Sequence, residues 1–552
     1  MELEVIKTDI LCVGGGTAGC MAAIRASELG AKVILAEKGN TLRSGAGRVG
    51  NDHFWCYIPE LHGPDVTPII KVRQAGGRNI PRETSYFRTR ELKSLDIIKL
   101  WDSWGIPMKI DSRYQCIGFG YPEGKDYPAS LRSALKYSGH NQKYVLTKEA
   151  LKRGVNIMNR VMVQDLLTDN GVVGAIAFST REDKMIIFQA KAVIISTGGV
   201  SRMYKSAING LIAGTHESYT TTGDGRAMAY RAGAELVDIE LTYPHIGPKY
   251  FGMSGQGTWI GVAKDGHGKK IGSYVDKPEK DTGDMILTSY LNIIEDYHNS
   301  GNGPVYMDCG GITDKDYTYM LEFLKHEGNQ ALVNHMKEEG LDPRKTPVEF
   351  MRYEMKSIGG VYYNEKGETT LSGLYAAGDE IFGGIANAAI FGWISAENAV
   401  NYIKDKELSD LNKLNSQIKP VKEMAEAMRN RENGGDWKEF NFALQETMDD
   451  YCGYVRSETL LHAGINHLLR IKDKAYSTMI AKDQWQLTRC LEVLNLLDQC
   501  EAMCIAADAR KESRGRHFRP DYPFTNAALE KLLLTIKKEN GIPVTGWKKL
   551  SN

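Results

Sequence analysis

The glycine-rich turn at residues 14–19 constrains the fold of this chain more than any other feature. It follows one apolar run, precedes a segment of small residues, and leads to a second apolar run that ends at Glu37. This order of strand, turn, helix, strand and carboxylate is typical of a βαβ unit that binds the ADP half of a dinucleotide. Gly14 makes the turn, Gly16 lets a pyrophosphate approach the backbone, and Gly19 allows the helix to pack on the strand. Glu37 is placed to accept a hydrogen bond from a ribose hydroxyl.

The length and charge of the chain exclude several classes of protein. At 552 residues it exceeds the size of a single hydrophobic core, so several lobes are expected. Lys plus Arg and Asp plus Glu both total 69, which leaves no long-range field to attract nucleic acid or an anionic membrane. No apolar run has the length of a membrane span and the N-terminus is unlike a signal peptide, so we expect a cytoplasmic protein. The nine cysteines lack C-x-x-C spacing, and we predict no metal site in this chain.

Further segments predict that one ligand-binding domain is assembled from separate parts of the chain. An apolar run ends in the glycines of STGG at 196–199, and another short run at 373–379 ends in Gly-Asp. After about residue 406 the apolar periodicity becomes helical. We predict a dinucleotide-binding domain in two parts, residues 1–240 and 351–405. An inserted lobe covers residues 241–350, and a helical C-terminal region covers residues 406–552.

Six motifs follow one another along nearly the whole sequence: GGGTAG with Glu37, RSGA at 43–46, STGG at 196–199, TGDG at 222–225, GLYAAGD at 373–379 and ESRGRHFR at 512–519. Together they resemble the flavoprotein subunit family of succinate dehydrogenase, fumarate reductase, L-aspartate oxidase and adenylylsulfate reductase. In several details the chain is most similar to the adenylylsulfate reductase alpha subunit. The resemblance implies an α/β fold with a Rossmann-like FAD-binding domain, an inserted α+β capping domain and a C-terminal helical domain.

The same resemblance implies FAD as the cofactor. Membrane-bound members attach FAD to a histidine in a Ser-His-Thr context, whereas this chain has Ser44-Gly45-Ala46 there, so we expect non-covalent FAD. In this family Asp224 would form a hydrogen bond near the flavin, and Asp379 would bind a hydroxyl of the ribityl chain. A helix starting near Asn387 would point N–H groups at the flavin N1 and O2 region. The predicted cofactor-binding residues are Gly14, Gly15, Gly16, Thr17, Ala18, Gly19, Glu37, Lys38, Arg43, Ser44, Gly45, Ala46, Gly50, Val163, Thr197, Gly198, Asp224, Asp379 and Asn387.

The groups that bind dicarboxylates in fumarate reductases are largely absent. Alignment on the Asp-Ile-Glu at 238–240 places His245 on the family's substrate histidine. The segment that carries the cap arginine, 254–261, contains no arginine, and the Asn-Arg clamp has become Asn387-Ala388. No other side chain in these segments restores a bidentate carboxylate fork. We therefore predict that this relative is not a standard fumarate reductase or succinate dehydrogenase.

Three residues are candidates for catalysis. His245 could donate a proton or contact an anion, since imidazole titrates near neutral pH, or it could be a structural histidine at the domain junction. Lys249 could supply the charge of the lost arginine, or it could be a solvated lysine. His53 follows the loop that contacts the flavin, so it could line the cavity together with Asp52, or both could satisfy backbone groups. Trp55 could stack on a planar substrate or pack in the core.

The sequence predicts the catalytic flavoprotein subunit of an FAD-dependent oxidoreductase, which passes electrons between a small-molecule substrate at flavin N5 and a redox partner. By resemblance the partner is a ferredoxin-like iron–sulfur subunit, and another electron carrier is the alternative. Two further functions stay open: a non-catalytic flavin electron-transfer subunit of a larger redox complex, and a dehydrogenase or reductase of a bulky or CoA-linked substrate. An oligomer is compatible with the sequence, and nucleic acid is not an expected partner.

Overall fold

The computed structural model describes residues 1–75, 83–118, 128–205, 212, 218–249, 251, 259–271, 293–326, 328–381 and 383–550. Its strands are β1 (Glu2–Val13), β2 (Val33–Glu37), β3 (His53–Trp55), β4 (Gln115–Ile117), β5 (Ala134–Lys136), β6 (Asn156–Asn159), β7 (Val161–Thr168), β8 (Val172–Ser179), β9 (Lys184–Ile195), β10 (Leu236–Val237), β11 (Thr242–Pro248), β12 (Val262–Lys264), β13 (Val305–Asp308), β14 (Val348–Ser357), β15 (Gly360–Val361), β16 (Leu374–Ala376), β17 (Leu532–Glu539) and β18 (Ile542–Lys549). Its α-helices are α1 (Thr17–Glu28), α2 (Pro59–His62), α3 (Thr67–Ala75), α4 (Thr84–Ser103), α5 (Gln142–Lys152), α6 (Asp224–Arg231), α7 (Ile293–Asn299), α8 (Asp314–His326), α9 (Gln330–Glu338), α10 (Gly384–Tyr402), α11 (Asn415–Asn430), α12 (Trp437–Cys452), α13 (Glu458–Thr478) and α14 (Gln484–Ala509).

The largest sheet has the strand order β6-β2-β1-β9-β8-β7, and β16 also pairs with β9. Strands β6, β2, β1, β9 and β16 run parallel, while β7 and β8 form an antiparallel extension. The C-terminal part of β1 is apolar on both faces, as expected of a parallel strand that is covered on each side. Because the carboxyl ends of parallel strands meet at one edge, Gly14, Glu37 and Ser196 emerge together where open α/β sheets bind ligands.

Helices α1 and α10 cross in close contact over this sheet. A Cβ on Gly392 would lie 2.3 Å from the carbonyl oxygen of Ala18, so only glycine fits at the crossing. Nearly every residue of α1 is buried, which explains its small, apolar composition. The close crossing fixes the start of α10 relative to the glycine turn.

A second, antiparallel sheet with the order β11-β14-β13-β12 lies within residues 242–357. It has an apolar cluster of its own, in which Trp259 packs against Phe350 and Met320 and Leu324 of α8 are buried. A separate core is expected of a lobe inserted into another domain. Its last strand ends at Ser357, beyond the boundary at residue 350 that the sequence predicts for the inserted lobe.

The C-terminal region begins with α11–α14 and then returns to strand. Helix α14 is buried on almost all sides within an apolar cluster that also contains residues of α12 and α13. Strands β17 and β18 form a hairpin, and β17 pairs with β10 to complete the sheet β15-β10-β17-β18. The hairpin turns at Asn540 (φ 52°) and Gly541 (φ 81°), a pair that favours this conformation. Within the part of the chain that the structure describes, no helix combines the length and apolar character needed to cross a membrane.

Candidate functional site

The three glycines of the turn have different steric roles. A Cβ on Gly14 would lie 2.6 Å from the Ser196 carbonyl oxygen, and one on Gly19 would lie 1.8 Å from the Gly14 carbonyl oxygen. Gly14 therefore allows the turn to pack against the end of β9, and Gly19 allows α1 to pack against the turn. A Cβ on Gly16 would meet only the Gly45 Cα, at 3.8 Å, so this glycine keeps space open rather than permitting an internal contact.

Both sides of the Gly15 peptide are held by charged side chains. The Glu37 carboxylate accepts hydrogen bonds from Gly15 N (2.6 Å) and Gly39 N (2.5 Å). From the other side, the Lys143 ammonium donates to the Gly15 carbonyl oxygen at 2.6 Å and is 3% exposed. Glu37 therefore fixes the turn, and its contact with a ribose hydroxyl stays a prediction. Lys143 comes from α5 and was missed by sequence reasoning, because no local pattern links it to a turn so distant in the chain.

The residues around the turn fit a dinucleotide pyrophosphate. Helix α1 begins after Gly16 without a side-chain cap, which leaves its first N–H groups to a ligand. The hydroxyl Oγ1 of Thr17 is buried and has no hydrogen-bond partner among the described residues. The buried Lys143 ammonium adds positive charge beside these donors. An anion above Gly16 would satisfy all three features.

Most of the other predicted cofactor residues lie on, or directly after, strands of the large sheet. Lys38 follows β2, Thr197 and Gly198 follow β9, Asp224 is the first residue of α6, and Val163 is buried in β7. The loop after β2 contains Arg43, Ser44, Gly45, Ala46 and Gly50. It approaches the glycine turn closely, since a Cβ on Gly45 (φ 81°) would lie 3.0 Å from the Gly16 Cα.

Lys38 and Asp224 bind each other. The Lys38 ammonium lies 2.6 Å from Asp224 Oδ2 and 2.8 Å from Glu492 Oε1, and Asn495 donates to Asp224 Oδ1 at 2.9 Å. Burial opposes ionisation of Asp224, but the Lys38 ammonium and the hydrogen bonds outweigh it and hold the pKa of this carboxyl below its usual range. The two side chains thus join the end of β2 and the start of α6 to α14, and the contact of Asp224 with the flavin stays a prediction.

The start of α10 is organised by Asp379. Its Oδ1 accepts hydrogen bonds from Gly383 N and Gly384 N, each at 3.1 Å. The helix begins at Gly384 rather than at Asn387. The Asn387 side chain points inward, where Oδ1 accepts a hydrogen bond from the Tyr86 hydroxyl and Nδ2 donates to the Tyr363 hydroxyl at 2.9 Å. Asn387 thus anchors two tyrosines, and its contact with FAD stays a prediction.

Glu380 is a second residue that sequence reasoning missed, although it follows Asp379 directly. It is fully buried, and its Oε1 accepts hydrogen bonds from Thr197 N (2.5 Å) and Thr197 Oγ1 (2.7 Å). Its Oε2 has no hydrogen-bond partner within the described part of the chain. Burial raises the pKa of the Glu380 carboxyl to about 7, in spite of the Thr197 hydrogen bonds and the nearby Arg226 guanidinium.

This shift predicts a specific pH dependence of stability. Between pH 4.5 and about 7 the folded protein keeps a proton on Glu380 that the unfolded chain releases, so stability falls as the pH rises through this range. The loss is about 3 kcal/mol by the end of the range. In Glu380→Gln we expect this part of the slope to disappear from urea unfolding measured between pH 5 and pH 8. If stability depended on pH in the same way in the wild-type protein and in Glu380→Gln, this would contradict a protonated Glu380 in the folded protein.

Asp52, His53 and Lys136 form a cluster next to the loop that is predicted to contact the flavin. The buried Asp52 carboxylate lies 2.6 Å from His53 Nδ1 through Oδ1 and 2.5 Å from the Lys136 ammonium through Oδ2. Asp52 and Lys136 are buried, whereas 24% of the His53 side chain is exposed. Strand pairing explains the arrangement, because His53 lies opposite Lys136 between β3 and β5. The structure thus brings together the predicted residues Asp52 and His53 with Lys136, which sequence analysis did not indicate.

Trp55 lies on the same face of β3 as His53. Its ring meets the His53 imidazole edge-on, with centroids 5.7 Å apart, and the Arg73 guanidinium lies 3.6 Å from the Trp55 ring centroid. Phe54, between them, points into the core and is fully buried. The half-buried Trp55 therefore belongs to the same face as the candidate acid or base.

The other two candidate catalytic residues lie on the sheet of the inserted lobe. The backbone of His245 lies in β11 at an irregularity between the pairs Pro244↔Met355 and Ile246↔Arg352, and its side chain is outside the described residues. Lys249 follows β11, and its ammonium pairs with Glu349 Oε1 at 2.6 Å. This carboxylate balances the charge that was predicted to bind a substrate anion. Among the described residues, no three or more His, Cys, Asp or Glu side chains come together in a group that could hold a metal ion.

Two family models match the chain. Residues 9–390, more than half of the sequence, match the model described as an FAD binding domain, and residues 441–545 match that of the fumarate reductase flavoprotein C-terminal region. The chain belongs to the fumarate reductase and succinate dehydrogenase flavoprotein family. It is an FAD-dependent oxidoreductase, so the predicted family, fold class and cofactor are confirmed.

Relatives of this flavoprotein cover its whole length. A fumarate reductase (CoM/CoB) subunit of Methanothermobacter marburgensis is 27% identical over 98% of both chains. A fumarate reductase flavoprotein subunit of Serratia sp. is 25% identical over 94% of this chain and 90% of its own. The structure of adenylylsulfate reductase from Archaeoglobus fulgidus has a TM-score of 0.83 at 23% identity and covers 100% of this chain and 96% of the other, which shows a shared fold.

Gly45 leads to a prediction about how this flavoprotein holds FAD. The loop presents glycine where membrane-bound relatives, by resemblance, have the histidine that attaches the flavin, so no side chain is available at this position. We expect acid precipitation of the purified protein to release all of its yellow chromophore into the supernatant. Flavin fluorescence that stays with the polypeptide on a denaturing gel would contradict non-covalent binding.

Proposed function

We propose that this flavoprotein is the catalytic subunit of a redox enzyme that acts on a small planar or anionic substrate, with His53 as the proton donor or acceptor. FAD, when bound, supplies or accepts the electron pair. The observation that carries the proposal is the buried Asp52 carboxylate, which contacts both His53 and Lys136. A partly exposed histidine that is oriented by a buried carboxylate is a common arrangement for general acid–base catalysis.

Asp52 determines how His53 can act. With Nδ1–H donating to Asp52, the tautomer of the neutral imidazole is fixed and Nε2 is directed away from the carboxylate. The Lys136 ammonium compensates the Asp52 charge, so that the carboxylate can remain a buried acceptor. His53 can then take up or release a proton at Nε2 as a substrate gains or loses a hydride.

Trp55 offers an aromatic contact for a substrate beside His53. The Arg73 guanidinium covers one face of the indole ring, 3.6 Å from its centroid, and is itself paired with Glu91 at 3.4 Å, so its charge is balanced. This contact suits a planar substrate group, but it offers no counter-charge for the two carboxylates of a dicarboxylate, which in the family are held by arginine forks and histidines. The segment aligned with the cap arginine contains none in this chain. Fumarate and succinate are therefore outside the proposed substrate class, although relatives of the chain are named fumarate reductases.

The names of the relatives also support a second subunit as the redox partner. Both fumarate reductase relatives are named as subunits, which describes one component of a larger assembly. An iron–sulfur subunit of the ferredoxin type is the proposed electron carrier. Purification of the native complex, followed by iron and sulfide analysis, tests this part of the proposal, and a flavoprotein that purifies alone without iron would contradict it.

The substrate class can be tested by anaerobic titration of the holoprotein. The flavin is reduced photochemically, and candidate oxidants are added while its absorbance is followed: fumarate, adenylylsulfate, and a planar series of monocarboxylates and enones. We expect reoxidation by a member of the planar series and none by fumarate. Rapid reoxidation by fumarate would overturn the proposed substrate class. Reoxidation by an iron–sulfur protein alone, with no small molecule active, would indicate an electron-transfer subunit.

A further inference from the structure

Two cysteines that are distant in sequence meet on the small sheet that carries His53. Cys56 follows β3 directly, and its N–H donates to the Ser133 carbonyl oxygen at 2.9 Å. Cys116 lies in β4 opposite Leu135 of β5. Because β3 and β4 both pair with β5, the two side chains converge across it, and their sulfur atoms are 3.8 Å apart.

The two thiols have different surroundings. Cys56 is fully buried, whereas Cys116 is partly exposed. A hydrogen bond from the Cys56 thiol lowers the pKa of Cys116 to about 6, burial opposes this, and His62 and Arg73 lower it further. Burial and the adjoining Cys116 sulfur raise the pKa of Cys56. A partly exposed thiolate beside a buried thiol is the arrangement of an attacking cysteine and its resolving partner.

We propose that Cys56 and Cys116 form a peroxide-reactive thiol pair that closes to a reversible disulfide. The Cys116 thiolate attacks hydrogen peroxide, so that an S–O bond forms, the O–O bond breaks and, after proton uptake, Cys116 sulfenic acid and water result. The Cys56 thiol then attacks the Cys116 sulfur, an S–S bond forms and a second water leaves. The two sulfurs together lose two electrons, which reduce the peroxide to water, and an external dithiol reverses the reaction.

Formation of the bond requires the end of β3 and strand β4 to draw together across β5, which lies between them. The sulfur atoms must approach from 3.8 Å to the bonding distance of about 2.0 Å. Cys116 is on the three-residue strand β4 and Cys56 directly follows the three-residue strand β3, so neither is in the interior of a long sheet. The resulting bond would join β4 to the end of β3, one residue after Trp55.

The chain contains an internal control with similar acidity but no exposure. The neighbouring Cys504 thiol lowers the pKa of Cys452 to about 7 against the effect of burial. Both are fully buried in the helical region. Peroxide should therefore reach Cys116 and leave Cys452 reduced, although both thiols are acidic.

Mass spectrometry of the peroxide-treated holoprotein tests the proposal. We expect the intact mass to decrease by two hydrogens, a peptide map to show Cys56 linked to Cys116, and dithiothreitol to restore the original mass. In Cys56→Ser, Cys116 should instead accumulate as sulfenic acid, which dimedone labels at least tenfold more than Cys452 in the same sample. Cys116→Ser should abolish both products.

Either of two results would overturn the proposal. One is an unchanged mass for the wild-type protein under conditions in which dimedone labels a reference peroxide-sensitive thiol. The other is equal labelling of Cys116 and Cys452 in Cys56→Ser. If Cys56→Ser fails to fold, the wild-type disulfide map and the Cys116→Ser variant still decide the question, because neither requires removal of the buried thiol.

Discussion

Replacement of His53 by glutamine is expected to lower kcat at least 100-fold, while the FAD content and the visible spectrum stay unchanged. Glutamine keeps a donor that can reach Asp52 but cannot exchange a proton near neutral pH, and general acid–base catalysis by a positioned side chain contributes 100-fold to 10,000-fold. Steady-state turnover with the substrate identified by the flavin titration, together with the ratio of flavin to protein, measures the effect.

His462 provides a matched control for this substitution. It is paired with Asp508 at 3.3 Å, but it is 55% exposed and lies on α13, in the helical region. His462→Gln therefore breaks a histidine–carboxylate pair without touching the proposed site and should leave kcat unchanged. Equal losses in the two variants, or full turnover in His53→Gln, would remove His53 from the chemistry.

Replacement of Gly16 by alanine is expected to weaken FAD binding at least tenfold, which corresponds to about 1.4 kcal/mol. The backbone at Gly16 (φ −68°, ψ −167°) is extended and allowed for alanine, and the added Cβ would meet only the Gly45 Cα at 3.8 Å. The apoprotein should therefore keep its unfolding temperature. The methyl group would occupy the space above the turn that a pyrophosphate needs, and titration of the apoprotein with FAD measures the loss.

Gly19→Ala separates loss of the cofactor from loss of the fold. Its Cβ would lie 1.8 Å from the Gly14 carbonyl oxygen, so the turn cannot keep its shape and the unfolding temperature of the apoprotein should fall as well. Normal FAD affinity in Gly16→Ala would show that the pyrophosphate does not approach this glycine. An equal loss of stability in both variants would assign both glycines to internal packing.

Local sequence patterns predicted the parts of the fold that depend on local chemistry. The glycine turn, the apolar β1 and the small residues of α1 each follow from the close contacts that they make, and these contacts lie within one βαβ unit. The hairpin β17–β18 was missed although Asn540-Gly541 is a strong turn signal, because the long helical periodicity before it dominated the interpretation of the C-terminal region.

The chemistry of the site depended on contacts that no local pattern encodes. Asp52 and His53 were predicted from their position after the loop, but Lys136, which completes the cluster, becomes adjacent only when β5 pairs with β3. Lys143 reaches the glycine turn from α5 in the same way. Glu380 stands beside a predicted residue, yet its importance comes from burial, which only the packed structure shows. The structure also assigned Lys249 a carboxylate partner, Glu349, on the neighbouring strand.

Lys136 gives the inserted lobe a direct influence on the charge balance around His53. Its ammonium, besides contacting Asp52, lies 5.5 Å and 5.2 Å from the ring centroids of Tyr319 and Phe323 on α8. These rings shield the ion pair from water and contribute cation–π attraction. A rotation of the lobe that withdrew α8 would hydrate the ammonium and loosen the orientation of the imidazole. Under the role proposed for His53, proton transfer would then depend on the contact between α8 and Lys136.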